Sequence, residues 1–151
     1  MYYLFIINDY SLGDKVYPGK MIADTLLKIK HWVFTYTTAN IKKIKPGDKV
    51  IIYIAGKGNR YFYANFEILD EITEHSLSPS GELEETLFNM FTLSCRIKVL
   101  NIWKEPIKIA DIKEQLNFIT DKKNYGLFFR QSTKVIGEDD YNFIIDRNST
   151  N

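Results

Sequence analysis

Two runs of β-branched and aromatic residues stand close together in this chain: "DKVIIYIA" (Asp48 to Ala55) and "YFYANFEILDEI" (Tyr61 to Ile72). Such residues favour a pleated, half-buried surface, so both runs read as strands. The four residues "GKGN" between them supply the positive φ angles that a tight antiparallel connection needs. The pairing also removes a tempting alternative. A phosphate-binding P-loop has G-x-x-x-x-G-K-[ST] opening a helix, and here a strand follows the glycines. A dinucleotide-binding fingerprint fails for the same reason.

The rest of the chain fits around that hairpin. "YYLFIIN" (Tyr2 to Asn8) reads as a strand, bounded by the turn-prone "NDYSLGD". Met21, Ile22, Ala23, Leu26, Leu27 and Ile29 recur at helical spacing, so a short amphipathic helix is expected from Lys20 to Lys30. "HWVFTYT" is aromatic and β-branched. A helical turn is expected from Thr38 to Ile44, ended by Pro46 and Gly47. A polar loop follows from Thr73 to about Glu84, then a long strand from Thr92 to Trp103. Beyond Pro106 comes a short strand or turn, then a helix from about Ala110. "LFFRQSTKVI" precedes a closing helix, "GEDDYNFIIDR", whose acidic first turn suits the helix dipole. Strands dominate and short helices are inserted between them, which is the pattern of one compact, barrel-like α+β domain.

At 151 residues the chain has the length of a single domain. It can bury a core without a metal or a disulfide. The net charge of +1 gives no general argument for nucleic acid, but the charges are segregated. Lys42, Lys43, Lys45, Lys49, Lys57 and Arg60 lie within one stretch, and Glu67, Asp70, Glu71, Glu74, Glu82, Glu84 and Glu85 within the next. This can produce a basic face, or two solvated edges with no partner. Cys95 is the one cysteine, which excludes an internal disulfide and points to a reducing interior. It lies in the apolar run "TLSCRIKVLNIW" and is expected to be buried and inert. "YYLFIIN" follows Met1 without a basic leader and is too short to span a membrane. The expectation is a cytoplasmic protein.

Catalytic and metal chemistry find little support. His31 and His75 are the two histidines, and neither has ligand spacing with Cys95 or a carboxylate. "GELEE" and "GEDDY" read as solvated helix starts. The informative pattern is aromatic residues interleaved with small polar ones. In "HWVFTYTTAN", alternation puts Trp32, Phe34 and Tyr36 on one side, with Thr35, Thr37, Thr38 and Asn40 nearby. Flat rings with a few polar groups suit a base taken out of its stack, because rings grip its faces and polar groups read its edges. The same rings also suit a core, and spacing alone leaves both readings open. "NYGLFFRQS" adds Tyr125, Phe128, Phe129, Arg130 and Ser132. Arg130 can meet a phosphate as a bidentate fork or pair with Asp139 or Asp140. Lys42, Lys43, Lys45, Lys122 and Lys123 are candidates for non-specific backbone contacts.

Taken in order, these pieces resemble the EVE-domain family of the PUA-like superfamily, which also includes the YTH readers and is related to ASCH domains. "YYLFIIN" is similar to the family's opening strand. Trp32 followed by "IKPGDKVIIYIAG", then "YANFEILDEI", is similar to its tryptophan and next two strands. "YGLFFRQSTKVIGEDDYNFI" is similar to its closing segment, with Tyr125 where a tryptophan often stands. The resemblance implies a PUA-like β-pseudobarrel spanning residues 1–151, no enzymatic activity and no cofactor. It further implies DNA or RNA as the partner, with a modified base inserted in an aromatic pocket. Carried over by motif, that pocket comprises Asn8, Trp32, Phe34, Thr35, Arg130 and Ser132.

Two other readings remain at this stage. One is a binder of nucleotide- or nucleobase-like small molecules in the manner of ASCH domains. The other is an RNA-processing enzyme using Cys95 or a carboxylate pair. The sequence does not choose DNA from RNA, the modification or the oligomeric state.

Overall fold

The computed structural model describes residues 1–56 and 60–149, with backbone alone at 127, 128 and 149. The chain runs β1 (Tyr2–Ile7), β2 (Tyr10–Leu12), β3 (Lys15–Tyr17), α1 (Gly19–Ile29), β4 (His31–Phe34), β5 (Lys49–Ile54), β6 (Tyr61–Ile68) and β7 (Thr73–Glu74). There follow α2 (Glu82–Met90), β8 (Leu93–Lys108), α3 (Ile109–Ile112), β9 (Thr133–Ile136) and α4 (Glu138–Ser149). Two 3-10 turns, Lys113–Gln115 and Tyr125–Phe129, complete the list.

The main sheet has the order β4-β8-β6-β5-β1-β9, with β7 also on β8, while β2 and β3 form a separate pair. β1 runs parallel to β5, and the other pairings are antiparallel. Side chains alternate across a strand, so β1 sends Tyr3, Phe5 and Ile7 to one core and Leu4 and Ile6 to another. β5 does the same with Val50, Ile52 and Ile54 against Ile51 and Tyr53. Both faces of the central strands are therefore covered, which explains why "YLFII" and "VIIYI" lack polar alternation. α1, β4 and α2 close the first core; the segment from Ile107 to Ile119 closes the second, with Phe129, Tyr141 and Ile144.

Three local features fix this frame. "KPGD" forms a turn in which the Asp48 N–H donates to the Lys45 carbonyl (3.1 Å), and Gly47 has φ +92°. Proline at the second position and a positive-φ glycine at the third match a type II turn. The buried Asp48 carboxylate accepts the Lys45 N–H at 2.8 Å, locking the turn before β5. At the start of α1, the Gly19 N–H donates to Asp9 Oδ1 at 2.8 Å. A Cβ on Gly19 would meet the Ile7 carbonyl oxygen at 3.1 Å, so glycine lets the helix press onto the end of β1. Finally, register shifts between β5 and β6 and between β6 and β8 bend the sheet.

The expected strands at both sides of "GKGN" pair antiparallel, with Ile54 opposite Tyr61. Lys57, Gly58 and Asn59, and hence the conformation expected for that turn, lie outside the described residues. Several boundaries differ from the sequence reading. "NDYSLGD" carries most of a small hairpin, because Gly13 takes φ +60° between β2 and β3. Residues 38–44 form successive turns, with Asn40 at φ +63°. β8 runs past Pro106, so the helix expected from Ala110 shrinks to α3 and one 3-10 turn. A 3-10 turn, not a strand, precedes Arg130.

The segregated charges fold against each other. The register places Lys49 opposite Glu67, and the two form an ion pair, while Lys45 lies 3.8 Å from Glu71. The expected basic face is thereby partly neutralised. Among the described residues no helix is long and apolar enough to cross a membrane.

Candidate functional site

Where β1 ends, the chain turns away and leaves a cavity of about 230 Å³. Ile6, Ile7, Asn8, Asp9 and Tyr10 come from the end of β1 and the start of β2. β4 supplies Trp32, Val33 and Phe34, and α1 supplies Ile22 and Leu26. Leu87, Met90 and Phe91 at the end of α2 form another wall, and Thr38, Ser132 and Thr133 supply hydroxyls. The cavity is smaller than the roughly 300–1,000 Å³ of sites for drug-sized ligands. One flat heterocycle with a small substituent matches it.

The aromatic wall is also core. Trp32 is 6% exposed, with its ring centroid 5.1 Å from Phe66 and 5.7 Å from Phe5. Phe34 is 1% exposed and meets Phe5 edge-on at 5.8 Å. The two readings left open by spacing therefore coexist: these rings fill the first core and line the cavity with what remains. Rigid packing of this kind pre-organises a binding wall.

Threonines end β4 and shape the floor. The Thr35 N–H donates to Thr38 Oγ1 at 2.9 Å, and Thr35 Oγ1 lies 3.1 Å from Thr37 Oγ1. Such side-chain bonds compete with the ladder and favour a turn. Thr133, buried at the start of β9, donates its hydroxyl to the Ala39 carbonyl and accepts Asn40 Nδ2 at 3.0 Å. The Ile6 N–H donates to the Ser132 carbonyl at 2.9 Å. The closing segment is thus bonded directly to the end of β1 and to the turn after β4, although 94 residues separate Thr133 from Ala39 and still more separate Ser132 from Ile6.

Of the residues singled out from sequence, Asn8, Trp32, Phe34 and Ser132 come together on the cavity. Thr35 and Arg130 are not among the described residues that line it; Thr35 supports Thr38, and Arg130 is exposed beyond the 3-10 turn. The Asp140 carboxylate is engaged by the backbone, accepting the Asn117 and Phe118 N–H groups at 2.8 and 2.9 Å. Tyr36 does not continue the alternation, because β4 stops at Phe34 and the Tyr36 hydroxyl reaches Glu74 at 2.5 Å. Lys42 and Lys43 are exposed on the turn that follows Asn40. Lys122 donates to the Leu116 carbonyl at 2.6 Å, beside the second core rather than the cavity, and Lys123 is exposed next to it.

Sequence reasoning missed Asp9, Tyr10 and the α2 residues. Asp9 had no local signal, because it lies ten residues before Gly19 and meets that N–H only in the folded chain. Tyr10 and α2 had none either, since only the folded chain brings them to the same mouth.

Elsewhere the chemistry is quiet. Cys95 is buried, and burial pushes its thiol up to about 12, so it stays protonated and unreactive at neutral pH. His31 Nδ1 lies 2.8 Å from the Ile29 carbonyl oxygen. The Leu77 N–H donates to His75 Nδ1 at 3.2 Å, which leaves Nε2 to donate to the Phe91 carbonyl at 2.6 Å. Among the described residues no group of three metal-ligating side chains converges.

A curled mixed sheet with helices over both faces defines an α+β pseudobarrel of the PUA-like class. Within that class the sequence matches the EVE domain over residues 18–147, and the chain belongs to the EVE domain family. No curated protein sequence matches it significantly. Among solved structures it is similar to the DUF55 domain of human thymocyte nuclear protein 1, with a TM-score of 0.63, 15% identity and all of both chains covered. Human THYN1 in complex with 5-methylcytosine-containing DNA gives 0.64 and 15%, over 97% of this chain and 96% of that one. The YTH domain of the Zygosaccharomyces rouxii MRB1 protein, in complex with N6-methyladenosine RNA, gives 0.57 and 12%, over 97% and 86%. At such identities the likeness is one of fold.

Proposed function

We propose that this chain is a non-catalytic, single-domain reader of a modified base in DNA or RNA. The base leaves its stack and enters the cavity beside Trp32 and Phe34. The observation that carries the reading is that cavity: one-heterocycle in size, walled by fixed rings and edged by Asn8, Thr38 and Ser132. A methyl group on a base adds apolar surface, which Ile22, Leu26 and Leu87 can cover. The THYN1 and MRB1 structures, each in complex with a methylated nucleic acid, support the same reading.

In this account Asn8 and Ser132 read polar edges. Thr35 acts one step back, by holding Thr38. Lys42 and Lys43 stand on the turn bonded to the cavity's edge, so they are assigned phosphate contacts. Lys45, Lys122, Lys123 and Arg130 are assigned weaker, flanking ones, since Lys45 is near Glu71 and Lys122 is bonded to Leu116. A cellular site of action in the cytoplasm fits one buried, unpaired cysteine.

The test is a binding comparison of modified and unmodified oligonucleotides with the wild type and Asn8→Ala. The account expects a preference in the wild type and its loss in the variant. The partial neutralisation of the lysines favours a second reading, a nucleobase-like small molecule as the ligand. Salt separates the two. Phosphate contacts make affinity fall steeply with ionic strength, whereas a free base binds almost independently of it.

A further inference from the structure

We propose that the β2–β3 hairpin is a stacking wedge, which enters a duplex and fills the gap left by the base held in the cavity. The proposal rests on the base-reading function above and narrows its substrate to double-stranded nucleic acid.

The hairpin grows directly out of the cavity. Tyr10 lines it, and the register pairs Tyr10 with Tyr17, Ser11 with Val16 and Leu12 with Lys15. Leu12 therefore shares the face of Tyr10 and stands roughly 7 Å further out along the strand. Val16 projects from the opposite face. Both are conspicuously open for apolar residues, at 40% and 60% exposed. The tip thus carries an apolar side chain on each face, beside the place where a base would enter.

Two three-residue strands are too few to be stable alone, so this hairpin has to be held from outside. Tyr10 and Tyr17 pack on the first core, and the Lys15 ammonium reaches Glu82 of α2 at 2.6 Å. The tyrosines hold the base of the hairpin and Lys15, paired with Leu12, ties its outer end to α2, so the hairpin is held along its length while Leu12 and Val16 stay exposed. Extruding a base from a duplex leaves its two neighbours unstacked, and apolar side chains are the groups that substitute in a base stack. A single strand presents no such gap. Asp14 at the tip is exposed. A carboxylate is repelled by phosphates and accepts from base amino groups, so it favours contact with base edges over backbone.

The test uses L12S/V16S, whose exposed positions leave folding intact, checked by urea denaturation. Probes are DNA with one 5-methylcytosine and RNA with one N6-methyladenosine, each as duplex and as single strand. The wedge predicts about a tenfold loss of duplex affinity in the variant and less than a twofold loss on the single strand. Unchanged duplex binding, or equal losses on both forms, overturns the wedge while a preserved methyl preference leaves base reading intact. A wild type without methyl preference on any probe overturns both.

Discussion

Truncating Trp32 removes a ring packed against Phe5 and Phe66 in the first core. Trp32→Ala should cost about 3–5 kcal/mol in urea denaturation, in line with large-to-small core changes. Asn8 is exposed, so Asn8→Ala should stay within about 0.5 kcal/mol of the wild type and affect binding alone. The two variants separate the wall's structural duty from the reading of a ligand. Cys95 gives a chemical check: with its thiol pushed up to about 12, it should resist a thiol reagent at pH 8 until denaturant is added. At this scale, alternation found Trp32 and Phe34 but overreached to Tyr36. Where β4 stops is decided by the Thr35–Thr38 hydrogen bond, and that competition between hydroxyl and ladder is invisible to a period-two pattern.

Among the elements, "KPGD" was the most legible, because each residue has a reason. Pro46 pre-sets φ, Gly47 takes φ +92°, and Asp48 bonds back to Lys45. Gly47→Ala forces a side chain into the left-handed region and should destabilise the protein by about 1–2 kcal/mol. The β5–β6 pair adds a pH dependence. The Lys49 hydrogen bond holds the Glu67 carboxyl below its ordinary value of 4.5, and Glu67 raises the Lys49 ammonium above 10.5. A depressed carboxyl contributes stability above its unfolded value and loses it as pH falls through the folded one. A raised ammonium contributes below its unfolded value and loses it as pH rises through the folded one. Glu67→Gln should therefore lower stability between those limits, by no more than about 1 kcal/mol for a partly exposed pair. Urea midpoints of wild type and variant should converge in acid. The β2–β3 hairpin escaped the sequence and α2 was read only as a helix start at "GELEE", because their partners are tertiary: Lys15 finds Glu82, and Leu87 finds the first core.

At the level of the whole molecule, the α+β barrel was readable from strand-rich segments and from the order of their motifs. Its two cores were readable only in hindsight, from the missing alternation in β1 and β5. The cavity was half legible. Its rings and Asn8 lie in quotable segments, but its closure depends on Thr133 reaching Ala39 and on the end of α2 supplying a wall. Such long-range contacts follow from topology, which no local window contains. The charge pattern gave the clearest difference, since register pairs Lys49 with Glu67 and the neighbouring turn brings Lys45 to 3.8 Å from Glu71, which neutralises part of an apparent basic stretch. The central claim, that the cavity reads a modified base, is tested most directly by titrating the wild type with matched oligonucleotides differing by one methyl group. The account predicts tighter binding of the methylated form, with the preference lost in Asn8→Ala at unchanged stability. Equal binding of both forms by the wild type would contradict it.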